Sequence, residues 1–318
     1  MTAIQVRLLL PSVFLQGLYD LWKRWLACQC LTFVPMVCMI VGAFAHIPLC
    51  YICVHTFDMG VSGLAVASCI KDAIFMITIY TYARCSPQIS RMLVPIDRDS
   101  FRGWGPYLKL SLPSTAMLCS EWWAFEVLTF MGGTLGVIQL AALTICLNLH
   151  SMLFRIPLGI TEATSALLGN SIGANNVALA KRFASLIIKF ASFVVTLLGV
   201  VLIVARVPIT DLFATEETLV AMTTKLVFIL GCCFVVDAFQ AILHGPIRAL
   251  GLQHKASIIA ICCYWLIGLP LAAIFAFWCD YGVYGLLVGQ SCATLSEAIA
   301  FSIIVKRKDW QKAANESK

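Results

Sequence analysis

Two glutamates lie five residues apart inside a long apolar stretch of this chain. Glu121 and Glu126 belong to the run from Leu112 to Phe130, which is long enough to approach the length of a membrane-spanning helix. A carboxylate near the middle of a bilayer is costly unless it is neutralised, finds a partner or faces water. Acidic residues in such a span predict a functional site, and proton- or cation-coupled transport is the use that two of them favour.

Polar residues recur at helical spacing in three other apolar runs. The stripes are Thr144, Asn148, Ser151, Arg155 and Glu162; Asp237, Gln240, His244 and Arg248; and Gln290, Thr294 and Glu297. Because lipid cannot hydrogen-bond, such faces must turn toward the bundle interior or an aqueous cavity. We expect Glu121, Asp237, Asn148 and Tyr264 to face the interior. Interhelical hydrogen bonding without a role in transport is the alternative for the stripes.

Helix geometry separates the two glutamates. At about 1.5 Å per residue, Glu121 and Asp237 both lie near the middle of the bilayer. Glu126 is five residues further on, a rotation of about 140°, which predicts a different face and either a second chamber or a position at the outer interface. Trp122 offers an aromatic face to an organic cation, although packing explains it equally well.

The composition is that of a membrane protein. Of the 318 residues, 61% are hydrophobic and 12% charged, whereas about a quarter are charged in a soluble domain. The lipid bilayer is therefore the expected surrounding. The net charge of +6 does not predict nucleic-acid binding, because the basic residues sort by loop. Cys50 and Cys53 have CxxC spacing without a second pair, which favours packing over a metal site.

Nine apolar runs are predicted to be membrane helices. They cover residues 8–26, 31–54, 61–82, 107–131, 138–168, 184–205, 219–243, 256–278 and 284–305. Basic residues concentrate in alternate loops and in the tail, so the positive-inside rule predicts a cytoplasmic C-terminus. The same rule places the N-terminus outside.

An internal repeat links the two ends of the chain. The segment from Pro48 to Leu64 matches the segment from Pro270 to Leu286 in its proline, aspartate and glycine positions, 222 residues apart. The matched helices are six spans apart, an even number, which predicts repeats of the same orientation. On this basis we expect a C-terminal portion of a twelve-helix, six-plus-six protein, with roughly three helices preceding it.

The predicted organisation follows from the repeat and the loops. Residues 1–83 form the last three helices of an N-terminal lobe, and residues 84–106 a cytoplasmic loop. Residues 107–305 form a six-helix C-terminal lobe, followed by a cytoplasmic tail over residues 306–318.

Several motifs resemble those of eukaryotic multidrug and toxic-compound extrusion (MATE) transporters. The segment from Pro113 through Glu121-Trp-Trp-Ala-Phe-Glu126 to Met131-Gly-Gly resembles their seventh helix. The runs Ile156–Asn175 and Arg248–Gln253 resemble the segments after their eighth and tenth helices. Lys308-Asp309-Trp310 resembles a plant-type tail.

The resemblance implies an antiporter that expels organic cations or xenobiotics in exchange for protons or sodium, without a cofactor. It implies two six-helix lobes around a cavity, a monomer, and a location in the plasma or vacuolar membrane. Carried over by position, Glu121, Glu126 and Asp237 handle cations and protons. The cavity-lining candidates are Trp122, Asn148, Arg155, Gln240 and Tyr264.

Arg155 departs from the family pattern, because relatives usually have an uncharged residue there. An arginine on the cavity face would oppose cationic substrates unless Glu162 neutralises it. Arg155 thus favours an alternative, a lipid-linked saccharide flippase of the same fold superfamily. A non-transporting, truncated remnant is the other alternative. No nucleophile–base or metal constellation in the sequence indicates an enzyme.

Overall fold

A computed structural model describes residues 2–29, 31–90 and 102–316, together with residues 93, 97 and 100. These residues form helices and loops, with no strand among them. The chain divides into two compact units, Met1–Arg102 and Gly103–Lys318, a division that falls inside the predicted 84–106 loop.

The first unit contains three long helices and one short helix. They are α1 (Thr2–Cys28), α2 (Phe33–Tyr51, extended by one π-helical turn to Thr56), α3 (Gly60–Cys85) and α4 (Pro87–Ser90). Tyr19 and Ile79 lie in its small core, where the Tyr19 ring stacks on Phe75 at 5.1 Å. Ser12 donates a hydrogen bond to Asp72, which is also 3.0 Å from Lys71. This buried acid is therefore neutralised locally.

The second unit contains the remaining helices. They are α5 (Trp104–Leu135), α6 (Val137–Gly173), α7 (Val177–Val204), α8 (Arg206–Asp211), α9 (Glu217–Ala249), α10 (Gln253–Ile261), α11 (Leu269–Ala273), α12 (Gly282–Arg307) and α13 (Trp310–Glu316). The π-helical stretch Cys262–Gly268 connects α10 to α11, and a second π-helical stretch, Ile274–Trp278, follows α11. Together they form one helical span from Gln253 to Trp278.

Each predicted span corresponds to a long helical segment in the described part of the chain. Seven of them are long and apolar enough to cross a membrane. The other two are α1 and α5, and α5 is the helix that carries Lys109, Glu121 and Glu126. The helices extend beyond most of the predicted ends. The prediction ended each helix where the strongly apolar run stops, whereas the residues that flank the run are helical as well.

Helix α9 is the central element of the second unit. It contacts α6, α7 and α12, and residues along most of its length are buried. Small residues permit the closest of these approaches: a Cβ on Gly231 would lie 3.1 Å from the carbonyl oxygen of Gly199 on α7. Close backbone packing through small residues is typical of helices in membranes. Many large apolar side chains remain exposed, including Val137 and Trp278, as expected of a surface that faces lipid.

The sequence repeat recurs as a repeat of local geometry. Asp58 and Asp280 both have positive φ angles, 50° and 58°, and the glycine two residues later has a φ of 53° in both cases. The preceding helix ends in a π-helical turn in both places. A left-handed turn of this kind favours aspartate, asparagine and glycine, which explains why these residues align.

Candidate functional site

A pocket of about 290 Å³ lies within the second unit, lined by α5, α6, α9 and the first π-helical stretch. Its lining is acidic and aromatic. It comprises Glu121, Glu126, Asp237, Trp122, Phe125, Phe154, Tyr264, Thr129, Thr144, Leu147, Asn148, His150 and Ser151.

Helix α5 presents both glutamates to this one pocket. Glu121 is only 7% exposed, whereas Glu126 is exposed. The expectation of a second chamber for Glu126 is therefore wrong. Residues at i, i+1, i+4, i+5 and i+8 from Glu121 all line the pocket, so the lining face of α5 is broad enough to span the rotation between the glutamates.

Asp237 lies in the pocket wall opposite a histidine that sequence reasoning missed. Nε2 of His150 on α6 is 2.7 Å from Oδ2 of Asp237, which is 6% exposed. The His150 ring stacks on Phe125 and on Phe154, at centroid distances of 5.5 and 5.1 Å. A histidine inside an apolar span was the only sequence signal for this partner, since nothing in the spacing connects residues 150 and 237.

Polar contacts occur at several positions along the interface between α6 and α9. Beyond His150 and Asp237, the Thr161 hydroxyl is 2.8 Å from the Ala241 carbonyl oxygen. The sequence numbers rise together on the two helices, so α6 and α9 run parallel. These bonds fix the relative height of the helices, and hence the height of Asp237 in the pocket.

The salt bridge at the end of this interface decides whether Glu162 neutralises Arg155. Nη1 of Arg248 is 2.8 Å from Oε1 of Glu162, so Glu162 pairs with α9 and not with Arg155. The physical reason is geometry, because seven residues separate Arg155 and Glu162 along one helix whereas Arg248 faces Glu162 across the interface. Arg155 itself is exposed and is not among the residues lining the pocket.

Gln240 lies behind the pocket in a buried polar cluster. Its side-chain nitrogen is 2.8 Å from Nε2 of His244 and 2.8 Å from Oε2 of Glu297. His244 is in turn 3.3 Å from Oε1 of Glu121. The cluster joins α5, α9 and α12, and it shares Glu121 with the pocket. The stripe pattern had grouped His244 with Asp237 and Glu297 with α12, but it could not show that they meet.

Tyr264 completes the pocket from a distorted helix. It is 1% exposed and lies in the π-helical stretch Cys262–Gly268. Its neighbour Trp265 donates a hydrogen bond of 3.0 Å to the Ser120 hydroxyl, next to Glu121. Distortions of this type inside helices are frequent at functional sites, because they turn side chains out of the regular register.

The fold and this pocket define a multi-pass helical membrane protein with an acidic, aromatic-lined site. The profile of the MatE family matches residues 113–274, about half of the chain, and the chain belongs to that family. The resemblance that the α5 motif carried is therefore confirmed. The relatives are transporters and not enzymes, which also agrees with the sequence-based expectation.

Individual relatives cover nearly the whole chain. It is 29% identical over 98% of its length to Protein DETOXIFICATION 16 of Arabidopsis thaliana, and 26% identical over its full length to Multidrug and toxin extrusion protein 1 of Danio rerio. It spans 64% and 54% of these two proteins.

The fold agrees with solved transporters. The structure of the eukaryotic MATE transporter AtDTX14 superposes with a TM-score of 0.93 at 26% identity, over 98% of this chain and 70% of that one. An outward-facing MATE transporter gives 0.84 at 19% identity, a likeness of fold alone. MATE transporters have twelve membrane helices, so the predicted fold class is confirmed.

Proposed function

We propose that this chain supplies the C-terminal ion- and substrate-handling lobe of an antiporter that exports small organic cations in exchange for protons or sodium. The supporting observation is the pocket, which combines three carboxylates with four aromatic rings. Carboxylates attract a positive charge. The ring faces of Trp122 and Tyr264 stabilise an organic cation and so compensate for the hydration that it loses in the pocket.

The size of the pocket bears on the substrate class. A cavity of about 290 Å³ lies just below the range of about 300–1,000 Å³ for small-molecule sites. We therefore expect amines or quaternary ammonium ions with one ring rather than large multi-ring compounds.

Coupling follows from the competition between a proton and the cargo for the same carboxylates. Ionised Glu121 and Asp237 attract the organic cation from the cytoplasm, and protonation from the other side neutralises them and releases it. The gradient drives export only because the two ligands differ in affinity for the inward- and outward-facing states. Sodium in place of the proton leaves the argument unchanged.

The flippase alternative receives no support from the pocket. That class relies on cationic cavity residues, whereas Arg155 does not line this acidic site. We place the transporter in the plasma or vacuolar membrane with its C-terminus in the cytoplasm, following the distribution of basic loops. We propose a monomer, since the site is built within one chain.

The test uses the purified chain in proteoliposomes loaded with a fluorescent organic cation and given a pH jump. We expect pH-driven exchange by the unmodified chain and its loss in Glu121→Gln, which keeps the side-chain size but cannot ionise. The control is Glu216→Gln, an exposed acid before α9, which should exchange normally.

Quenching of tryptophan fluorescence by the cation, and its reduction in Trp122→Phe, separates binding from transport. Quenching without exchange in the unmodified chain would support the non-transporting remnant. Undiminished exchange in both Glu121→Gln and Asp237→Asn would remove these residues from the mechanism.

A further inference from the structure

The buried cluster behind the pocket contains more acceptors than its donors satisfy. Among the described residues, Oε1 of Glu121 and Oε1 of Glu297 have no hydrogen-bond partner, although Glu121 is only 7% exposed and Glu297 is fully buried. A buried carboxylate oxygen without a partner is destabilising. Two of them in one cluster indicate that something else occupies the space between these groups.

Reversing the assignment of the Gln240 amide does not remove the deficit. If its nitrogen donates to Nε2 of His244 and Oε2 of Glu297, then Nε2 is an acceptor, and it faces the Glu121 carboxylate across 3.3 Å. If the amide is turned over, its oxygen faces the Glu297 carboxylate, so that two acceptors again face each other. Each arrangement lacks one positive group, which a proton or a metal cation can supply.

The geometry of the three ligand atoms favours a metal. One oxygen of Glu121, one of Glu297 and a ring nitrogen of His244 all lie within 4.8 Å of one another. Around a tetrahedral zinc ion, with ligands at about 2.0–2.2 Å, adjacent ligand atoms are about 3.3–3.5 Å apart. The 3.3 Å between His244 and Glu121 already has this value. The Glu297 oxygen needs only a small side-chain adjustment.

We propose that Glu121, His244 and Glu297 form a binding site for one divalent first-row metal ion of the Mn²⁺-to-Zn²⁺ class. Two carboxylates and one imidazole are ligands that such ions accept. This site goes beyond the proposed organic-cation pocket and shares only Glu121 with it. No sequence spacing predicted it, because the three ligands come from α5, α9 and α12.

Charge balance agrees with a divalent ion. Two neighbouring ionisable groups have partners of their own, because Asp237 contacts His150 and Arg248 forms a salt bridge with Glu162. Two carboxylates and one divalent ion make the cluster neutral, as burial among apolar helices requires. The ion reaches the cluster from the pocket, because Glu121 lines the pocket. Gln240 remains as the group that orients the Glu297 carboxylate.

The experiment measures Mn²⁺ binding to the purified 318-residue chain in detergent, without reference to transport. Mn²⁺ is chosen because the chain has 15 cysteines, and thiolates compete more strongly for zinc. Electron paramagnetic resonance counts bound ions, and electron spin echo modulation detects a coordinated imidazole nitrogen. We expect one site per chain with a nitrogen signal.

The variants are Glu297→Gln and His244→Gln, and each should weaken Mn²⁺ binding at least tenfold. His244→Gln should also abolish the nitrogen signal. The control His254→Gln removes an exposed histidine at the start of α10 and should change neither affinity nor signal. This control excludes adventitious surface binding.

Absence of a nitrogen signal in the unmodified chain would overturn the proposal, and this outcome does not depend on any variant folding. Equal affinity in Glu297→Gln and the unmodified chain would overturn it as well. Either result would mean that protons, and not a metal ion, supply the positive charge in the cluster. Failure of transport would leave the binding result intact, so the two proposals fail separately.

Discussion

Asp237 is held in place by one hydrogen bond and an aromatic enclosure. His150 contacts it at 2.7 Å, and Phe125 and Phe154 each stack on the His150 ring. Both side chains of the pair are largely buried, so this bond is made in a medium where an unpartnered carboxylate is expensive. The pair therefore fixes the geometry of the pocket wall as well as the charge in it.

A double-mutant cycle on His150 and Asp237 should show strong coupling. His150→Phe keeps an aromatic ring against Phe125 and Phe154 but leaves Asp237 without its partner. We expect a destabilisation of about 1–3 kcal/mol, the cost of a buried unsatisfied group. Asp237→Leu in the same background should restore part of that loss.

Thermal unfolding of the detergent-solubilised chain measures both changes. The matched control is Phe154→Leu, which alters the enclosure but leaves the hydrogen bond in place. If the two substitutions at positions 150 and 237 are additive, then the contact does not contribute to stability and the pocket wall is held by helix packing alone.

At the scale of helices, the repeated segment determines how two helices pack as well as how the chain turns between them. Gly63 and Gly285 each lie one turn into the helix after the left-handed bend. A Cβ on Gly63 would come within 2.8 Å of the Cys53 backbone, and one on Gly285 within 2.5 Å of the Phe275 backbone. Cys53 and Phe275 are themselves repeat-related, so both bends return the chain against the helix that precedes them.

Gly285→Ala should therefore destabilise the second unit. An added methyl at 2.5 Å from backbone atoms forces the helix and the preceding π-helical turn apart, at a cost of about 1–3 kcal/mol. Gly159→Ala is the control, because a Cβ there meets nothing within 4 Å. It should be neutral or stabilising by up to about 1 kcal/mol, since alanine favours a helix.

Unfolding midpoints of the two variants decide the matter. A Gly285→Ala protein as stable as Gly159→Ala would show that the bend tolerates a side chain. In that case the alignment of Gly63 with Gly285 would reflect ancestry without a present structural need.

The sequence predicted these elements better than it predicted their partners. Hydrophobic runs found every long helix, because burial in lipid leaves a strong local pattern. Acidic residues inside apolar runs also identified Glu121 and Asp237 as unusual. They could not identify His150 or Glu297 as neighbours, because contacts between helices depend on rotation and height, which no single helix encodes. The π-helical stretch around Tyr264 could not be predicted either, because no change in the spacing of polar and apolar residues marks it.

At the scale of the whole molecule, the direction of transport depends on how the chain is oriented in the membrane. The proposed export in exchange for an inward ion requires that the pocket open to a defined side of the membrane. Arginines and lysines concentrate near Arg84, near Lys181, near Arg248 and in the tail after Val305, whereas the intervening loops carry Asp58, Glu216 and Asp280. The positive-inside rule then gives a cytoplasmic C-terminus.

Reporter fusions in bacteria test this orientation. Alkaline phosphatase folds only outside the cytoplasm, so a fusion after Glu216, in the loop before α9, should be active, and one after Lys318 should be inactive. A fluorescent protein at the same two positions should give the reverse pattern. Replacing Lys306, Arg307, Lys308 and Lys312 by glutamine should raise phosphatase activity at the C-terminus, because these charges help to retain the tail inside. Activity after Lys318 in the unmodified chain would show the opposite orientation, and it would reverse the direction of the exchange that we propose for Glu121 and Asp237.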